Sequence, residues 1–195
     1  MTNRSWQVVT PNTVAGGGAA PEDAPGEPRA LVPSELRYLV VATQREGNRV
    51  FARAVGDLGL TPSHAEILAV LDEFGPMSLR DLGEMIVCEA SAPSRIVDTL
   101  VRRGLVERTE DPTDRRAIII SLTDAARAKL PALLEIERQV DRATADQLTP
   151  DQQAMVAAVL RGFLTGTEAG DALERRFARK ASSARHPLPT SPPVR

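Results

Sequence analysis

The chain has 195 residues, 42% of them hydrophobic, and a formal net charge of −2. That supplies apolar material for one or two cored domains, and it excludes polyanion binding by the chain as a whole, so any nucleic-acid surface must be a local patch. A single cysteine, Cys88, excludes an internal disulfide and a multi-cysteine zinc site, and the lack of a long apolar run or a secretory signal points to a cytoplasmic protein with no membrane partner.

Residues 1–33 contain AGGGAAPEDAPGEP, a composition that buries too little apolar surface to offset its ordering entropy. This segment reads as a disordered tail, as do residues 181–195, which end in HPLPTSPPVR. Between the tails the pattern is mostly helical. In SELRYLVVATQREGNRVFARAV, residues Leu36, Leu39, Val40, Val50 and Phe51 fall near helical spacing, with Gly47 a weak point. LTPSHAEILAVLDEFG opens on Thr61 as N-cap with Pro62 as first helical residue, and Ile67, Leu68 and Leu71 form its apolar face. Ser78, with Asp81 three residues on, caps a third helix that turns Leu79, Leu82 and Ile86 to one side.

EASAPSRIVDTLVRRG is the next helix. Pro93 is tolerated only in a first turn, where its missing N–H is not needed. Ser91 or Ala92 is then the cap. Ile96, Val97 and Leu100 face inward, while Ser94, Arg95, Asp98 and Arg102 face away, and Gly104 ends the helix in a left-handed conformation. LVERT and AIIISL are short β-rich runs around the turn EDPTDRR, so they read as a hairpin. Thr123 caps a long helix to about Leu148, with Pro131 predicting a kink or an irregular first turn. Thr149, Pro150 and Gln152 form a capping box for a last helix that aligns Met155, Val159, Leu160 and Phe163.

Two short helices joined by a tight turn and followed by a two-stranded wing form a DNA-reading unit, whose second helix enters the major groove. Its first residues here are Ser91, Ser94, Arg95 and Asp98, whose hydroxyls, guanidinium and carboxylate suit phosphates or base edges. Asp98 has a second reading as an ion-pair partner of Arg95 or Arg102 at helical spacing. Arg115 and Arg116 at the hairpin tip suit the adjacent minor groove, where negative potential is concentrated, and Asp114 can brace one of them through a bidentate pair. From Ser78 to Leu122 eight acids face seven basic residues. DNA binding must therefore come from charge placement, with the acids off the DNA face.

LTPSHAEILAVL, SLRDLGEMI, SRIVDTLVRRGLVER and DPTDRRAIIISLT, in this order and spacing, resemble the MarR family of winged-helix transcription regulators. The resemblance runs from about Leu31 to Arg179. It implies a mainly α fold with a small β-hairpin wing: a DNA-binding lobe over 61–122 within a domain over 34–180, and dimerisation helices over 34–58 and 123–180. It also implies an obligate homodimer, usually a repressor, that binds double-stranded DNA at a pseudo-palindromic operator. Asp114 would orient Arg116, and a pocket between the two halves would take a small aromatic or phenolic ligand. For an acidic ligand, Arg45 and Arg49, one turn apart on the first helix, are the candidate partners.

Cys88 reads as a small buried hydrophobe. A redox-sensing role would need a lowered pKa and access, and the adjacent Glu89 opposes thiolate formation. His64 reads as a surface or satisfied side chain. No cluster of His, Asp and Glu suggests a metal, and no cofactor is expected. The sequence has no Gly-rich phosphate loop, no nucleophile elbow and no Ser/His/Asp set outside the tails, so no catalytic residue is assigned. The competing reading is a winged-helix module that docks proteins and not DNA.

Overall fold

The computed structural model describes residues 32–87, 93–111 and 117–183. The expected tails over 1–33 and 181–195 fall almost wholly outside these residues. Helix α1 spans Pro33–Gly56 and α2 Pro62–Phe74; the two-residue strand β1, Met77–Ser78, leads into α3, Leu79–Gly83. Then come α4 (Pro93–Arg102), β2 (Val106–Glu110), β3 (Ile118–Leu122), α5 (Asp124–Ala145), α6 (Pro150–Leu164) and α7 (Glu168–Ser183). The chain divides into two compact units, the first ending at Glu46 and the second starting at Gly47, so the division falls inside α1 at the glycine.

The helix starts follow from local chemistry. Thr61 Oγ1 accepts from the His64 amide at 3.3 Å, while His64 Nδ1 accepts from the Thr61 amide at 3.2 Å. A histidine thus fills the capping-box position usually held by Glu or Gln. Ser78 Oγ accepts from the Asp81 amide at 3.1 Å, and Thr123 Oγ1 from that of Ala126 at 3.3 Å. Thr149 and Gln152 close a reciprocal box, with Gln152 Oε1 accepting from the Thr149 amide at 2.9 Å. Gly104, at φ 66°, ends α4 in the left-handed region. Helix α5 continues through Pro131.

The structure differs from the sequence reading at three places: α3 ends at Gly83, so the buried Ile86 lies beyond it and not on its face, and the sheet and the last helix also differ. The wing is a three-stranded antiparallel sheet in the order β1-β3-β2, with Met77 opposite Ile120 and Arg108 opposite the same residue from the other side. A two-residue strand carries no period, so β1 left no pattern to read. The expected last helix is two helices, broken after Leu164. Gly166 adopts φ 74°, and Thr167 Oγ1 accepts from the Gly170 amide at 3.1 Å to start α7.

The core of the second unit gathers Ile67, Leu68, Leu82, Leu100, Ile120 and Leu133, all fully buried. It joins α2, α4, the sheet and α5, and so fixes α4 with one face inward and one outward. Helix α6 contributes no buried residue.

Candidate nucleic-acid interface

Helix α4 is sharply two-faced. Ile96, Val97 and Leu100 are buried, while Ser94, Arg95, Asp98 and Arg102 are exposed, as the spacing predicts. The helix lies close to α3: a Cβ on Gly83 would meet Pro93 Cγ at 3.4 Å. On the outward side, a groove of about 630 Å³ is lined by Arg95, Asp98, Thr99, Val101, Arg102 and Arg108. Among the described residues its lining holds three guanidinium groups against one carboxylate.

That carboxylate is already engaged. Arg108 on β2 donates to Asp98 Oδ1 at 2.6 Å, so the partner of Asp98 is neither of the helical neighbours considered from sequence. The pair ties the recognition helix to the wing and removes the one negative charge from the groove's lining. At 38% and 53% side-chain exposure, such a pair adds only ~0–1 kcal/mol to stability; its effect is on direction. Arg102 donates to Thr99 Oγ1 at 3.1 Å, and that hydroxyl donates to the Arg95 carbonyl at 3.0 Å, which steadies the row. The neighbouring Arg103 turns the other way, donating to the Gly59 carbonyl at 2.6 Å and approaching His64 Nδ1 at 3.2 Å. With two donors aimed at Nδ1, the His64 proton belongs on Nε2.

Arg102 and Arg108 are the groove cations that no site assignment from sequence included. Arg102 was readable as outward-facing. Arg108 acquires its role only through a partner on another element. Ser91, Cys88 and the wing-tip residues Asp114, Arg115 and Arg116 lie outside the described residues. The wing ladder is described as far as the Asp111 amide, which donates to the Ala117 carbonyl at 3.0 Å. Arg45 and Arg49 are both exposed on α1.

A second concavity, of about 580 Å³, lies among α1, α2, α5 and α7. Phe51, Leu134, Val140 and Phe177 give it apolar walls, and Asp72, Glu73, Glu137 and Asp141 give it carboxylates. Its two cations are engaged, Arg176 with Glu66 and Lys180 with Glu73, each at 3.1 Å. Burial pushes the Glu137 carboxyl above its ordinary value of 4.5; Asp141 and Glu73 push the same way, and Arg176 and Lys180 oppose them. A carboxyl whose folded pKa is raised binds its proton more tightly in the folded state. The stability it confers is full below 4.5 and is lost as pH rises through the folded value. Glu137→Gln is therefore expected to unfold at higher urea than the parent at pH 7, with the difference closing below pH ~4. A difference that is the same at both pH values removes this account.

A family profile described as MarR family matches residues 60–118, which run from the start of α2 to the start of β3. The chain is 26% identical over 137 residues to the HTH-type transcriptional repressor NicR of Pseudomonas putida, covering 70% of this chain and 87% of that protein. Residues 60–118 thus carry a MarR-family domain, and the likeness to a repressor runs over most of the chain. The chain is a winged-helix transcriptional regulator, with α3 and α4 as the helix–turn–helix and β2–β3 as the wing. A cysteine-to-serine variant of Escherichia coli MarR, solved in complex with operator DNA, superposes with a TM-score of 0.59 at 22% identity, over 66% of this chain and 93% of that one. The organohalide-sensing regulator RdhR-CbdbA1625, solved with 2,4-dichlorophenol bound, gives a TM-score of 0.62 at 22% identity, over 74% and 87%. Among the described residues no helix is long and apolar enough to cross a membrane.

Proposed function

We propose that this MarR-family regulator is a ligand-responsive homodimeric repressor that reads a two-fold operator through α4, with the wing arginines Arg115 and Arg116 in the minor groove and Asp114 bracing Arg116. The observation that carries this reading is the arginine-lined groove on the exposed face of α4. The operator complex of E. coli MarR supports it by likeness of fold. The same groove favours DNA over a protein-docking role, since its cations outnumber its single, neutralised acid. The chain is read as a binding protein and not an enzyme.

Two apolar faces support the homodimer, with 34–58 and 123–180 as its helices. On α6, Met155, Val159 and Phe163 are 68%, 51% and 59% exposed, and on α1 Leu36, Leu39 and Val40 are also exposed. Faces of this kind mark an association surface. Two copies would set the recognition helices about 34 Å apart, one duplex turn, on half-sites ~10 base pairs apart. For the ligand, the cavity walled by Phe51 and Phe177 suits a small aromatic or phenolic molecule, and a regulator of like fold was solved with 2,4-dichlorophenol bound. Its carboxylates disfavour a fully charged acid, for which Arg45 and Arg49 are the alternative partners.

The test is a footprint and a binding titration on one operator. Arg116→Ala is expected to weaken binding by ~1–3 kcal/mol, Asp114→Ala by less, and Arg95→Ala to relax base preference within a half-site. A single unrepeated half-site, a monomer at micromolar concentration, or no duplex binding at low salt would each reject the reading. In the same titration, 2,4-dichlorophenol and salicylate are compared on the parent, Phe177→Ala and Arg45→Ala; no response to either compound removes the ligand arm.

A further inference from the structure

Glu66 is a buried carboxylate that DNA contact does not use. It lies on α2 and is only 8% exposed. A buried charge is costly unless it is paired and hydrogen-bonded, and Glu66 is both. Its Oε1 accepts from the Val87 amide at 2.8 Å and from Arg176 Nη1 at 3.1 Å. Val87 stands six positions before Pro93, where the recognition helix begins. Arg176 belongs to α7 and stands 110 positions from Glu66 in the sequence.

The rest of this α7 face points to the same stretch of chain. Arg175 Nε donates to the Glu84 carbonyl at 3.1 Å. Arg179 Nη1 reaches Met85 Sδ at 3.6 Å, and its guanidinium lies 5.4 Å from the centre of the Phe74 ring. Lys180 pairs with Glu73 at the end of α2. Positions 175, 176, 179 and 180 share one side of a helix. Residues 84–87 follow the last turn of α3 and belong to no helix or strand. The Glu84 and Met85 amides still donate to the Arg80 and Leu82 carbonyls of α3, and the remaining backbone polar groups need partners from elsewhere. The Glu84 carbonyl finds one on α7, and the Val87 amide finds one on Glu66, which α7 holds in place.

We infer that Glu66 and Arg176 are positioning residues for operator reading, and that α7 is a brace which sets the exit direction of the chain into the recognition helix. A side chain on a groove-entering helix must be placed closely to meet base edges, whereas phosphate attraction tolerates displacement. Loss of the brace therefore acts on specific binding more than on non-specific binding. This rests on α4 being the DNA-contacting helix.

The experiment uses the full-length dimer and two duplexes, the footprinted operator and a scrambled one of the same length. Arg176→Met keeps the stem and removes the ion pair with Glu66; Arg176→Lys restores a charge; Arg175→Ala removes the exposed tie to Glu84. The expected result is at least a tenfold loss of operator affinity in Arg176→Met, a smaller loss in Arg175→Ala, partial recovery in Arg176→Lys, and less than a threefold change on scrambled DNA. Amide hydrogen exchange at residues 84–87 should quicken in step. Equal losses on both duplexes, or unchanged operator affinity in folded Arg176→Met, overturn the inference. Where Arg176→Met does not fold, an Arg175→Ala protein that matches the parent on operator and in exchange overturns it alone. A parent that binds no duplex rejects the DNA-reading proposal and is seen before any variant is made.

Discussion

Replacing Arg95, Arg102 and Arg108 together by alanine is expected to lower operator affinity about 10²–10⁴-fold and to flatten its salt dependence by up to ~3 in log–log slope, at roughly one unit per phosphate contact. The three side chains line one groove on the outward face of α4, so they meet the same duplex. Folding is expected to change little: Arg95 and Arg102 are exposed helix positions, where substitutions stay within ~0.5 kcal/mol. Arg108 differs from the other two because it also neutralises Asp98 at 2.6 Å. Alone, Arg108→Ala removes a cation and uncovers an anion on a surface that faces phosphates. It should thus cost more affinity than either of the others, and adding Asp98→Ala should recover part of the loss. A double-mutant cycle on these two positions isolates that term. Operator affinity and salt slope equal to the parent's in the triple variant would reject the groove as the DNA surface.

What the sequence showed and what it hid divide along contact range. The caps at Thr61, Ser78, Thr123 and Thr149 were legible because each needs only a residue three positions on. The inward stripe of α4 was legible for the same reason. The Asp98–Arg108 pair was not, because its partners sit on different elements and helical spacing offered nearer cations. The excess of acids from Ser78 to Leu122 argued against DNA until the fold placed those among the described residues. Glu84 pairs with Arg80, Ser121 donates to Glu107, and among the described acids only Asp98 lines the groove. The break at Gly166 was written in the sequence as glycine followed by a capping threonine, but the apolar run before it masked the restart. Glu66 gave no signal at all, since a carboxylate on an apolar helix becomes meaningful only when Arg176, 110 positions away, arrives beside it.

Gly170→Ala is expected to destabilise the protein toward the upper end of the ~1–3 kcal/mol that overpacking costs, and to weaken the dimer. A Cβ on Gly170 would stand 2.1 Å from the Leu164 carbonyl oxygen and 2.9 Å from its carbon. Both are backbone atoms at the last residue of α6, so no side chain can swing aside. The corner must open, either by peeling the start of α7 from its cap on Thr167 or by tilting α6. The far end of α7 is held through Arg176 and Lys180, which directs much of the displacement to α6, the helix with the exposed apolar face. Gly162 provides the control within the same pair of helices. It lies inside α6 with nothing within 4 Å of a Cβ, so Gly162→Ala should stabilise by ~0.5–1 kcal/mol through helix propensity alone. Propensity favours alanine at both positions, and the difference in sign is thus a reading of the corner contact. Urea unfolding at fixed protein concentration gives the stabilities, and sedimentation gives the dimer dissociation constant. If both alanines stabilise, the start of α7 does not press on the Leu164 carbonyl, and the link from this corner to the dimer face of α6 is rejected.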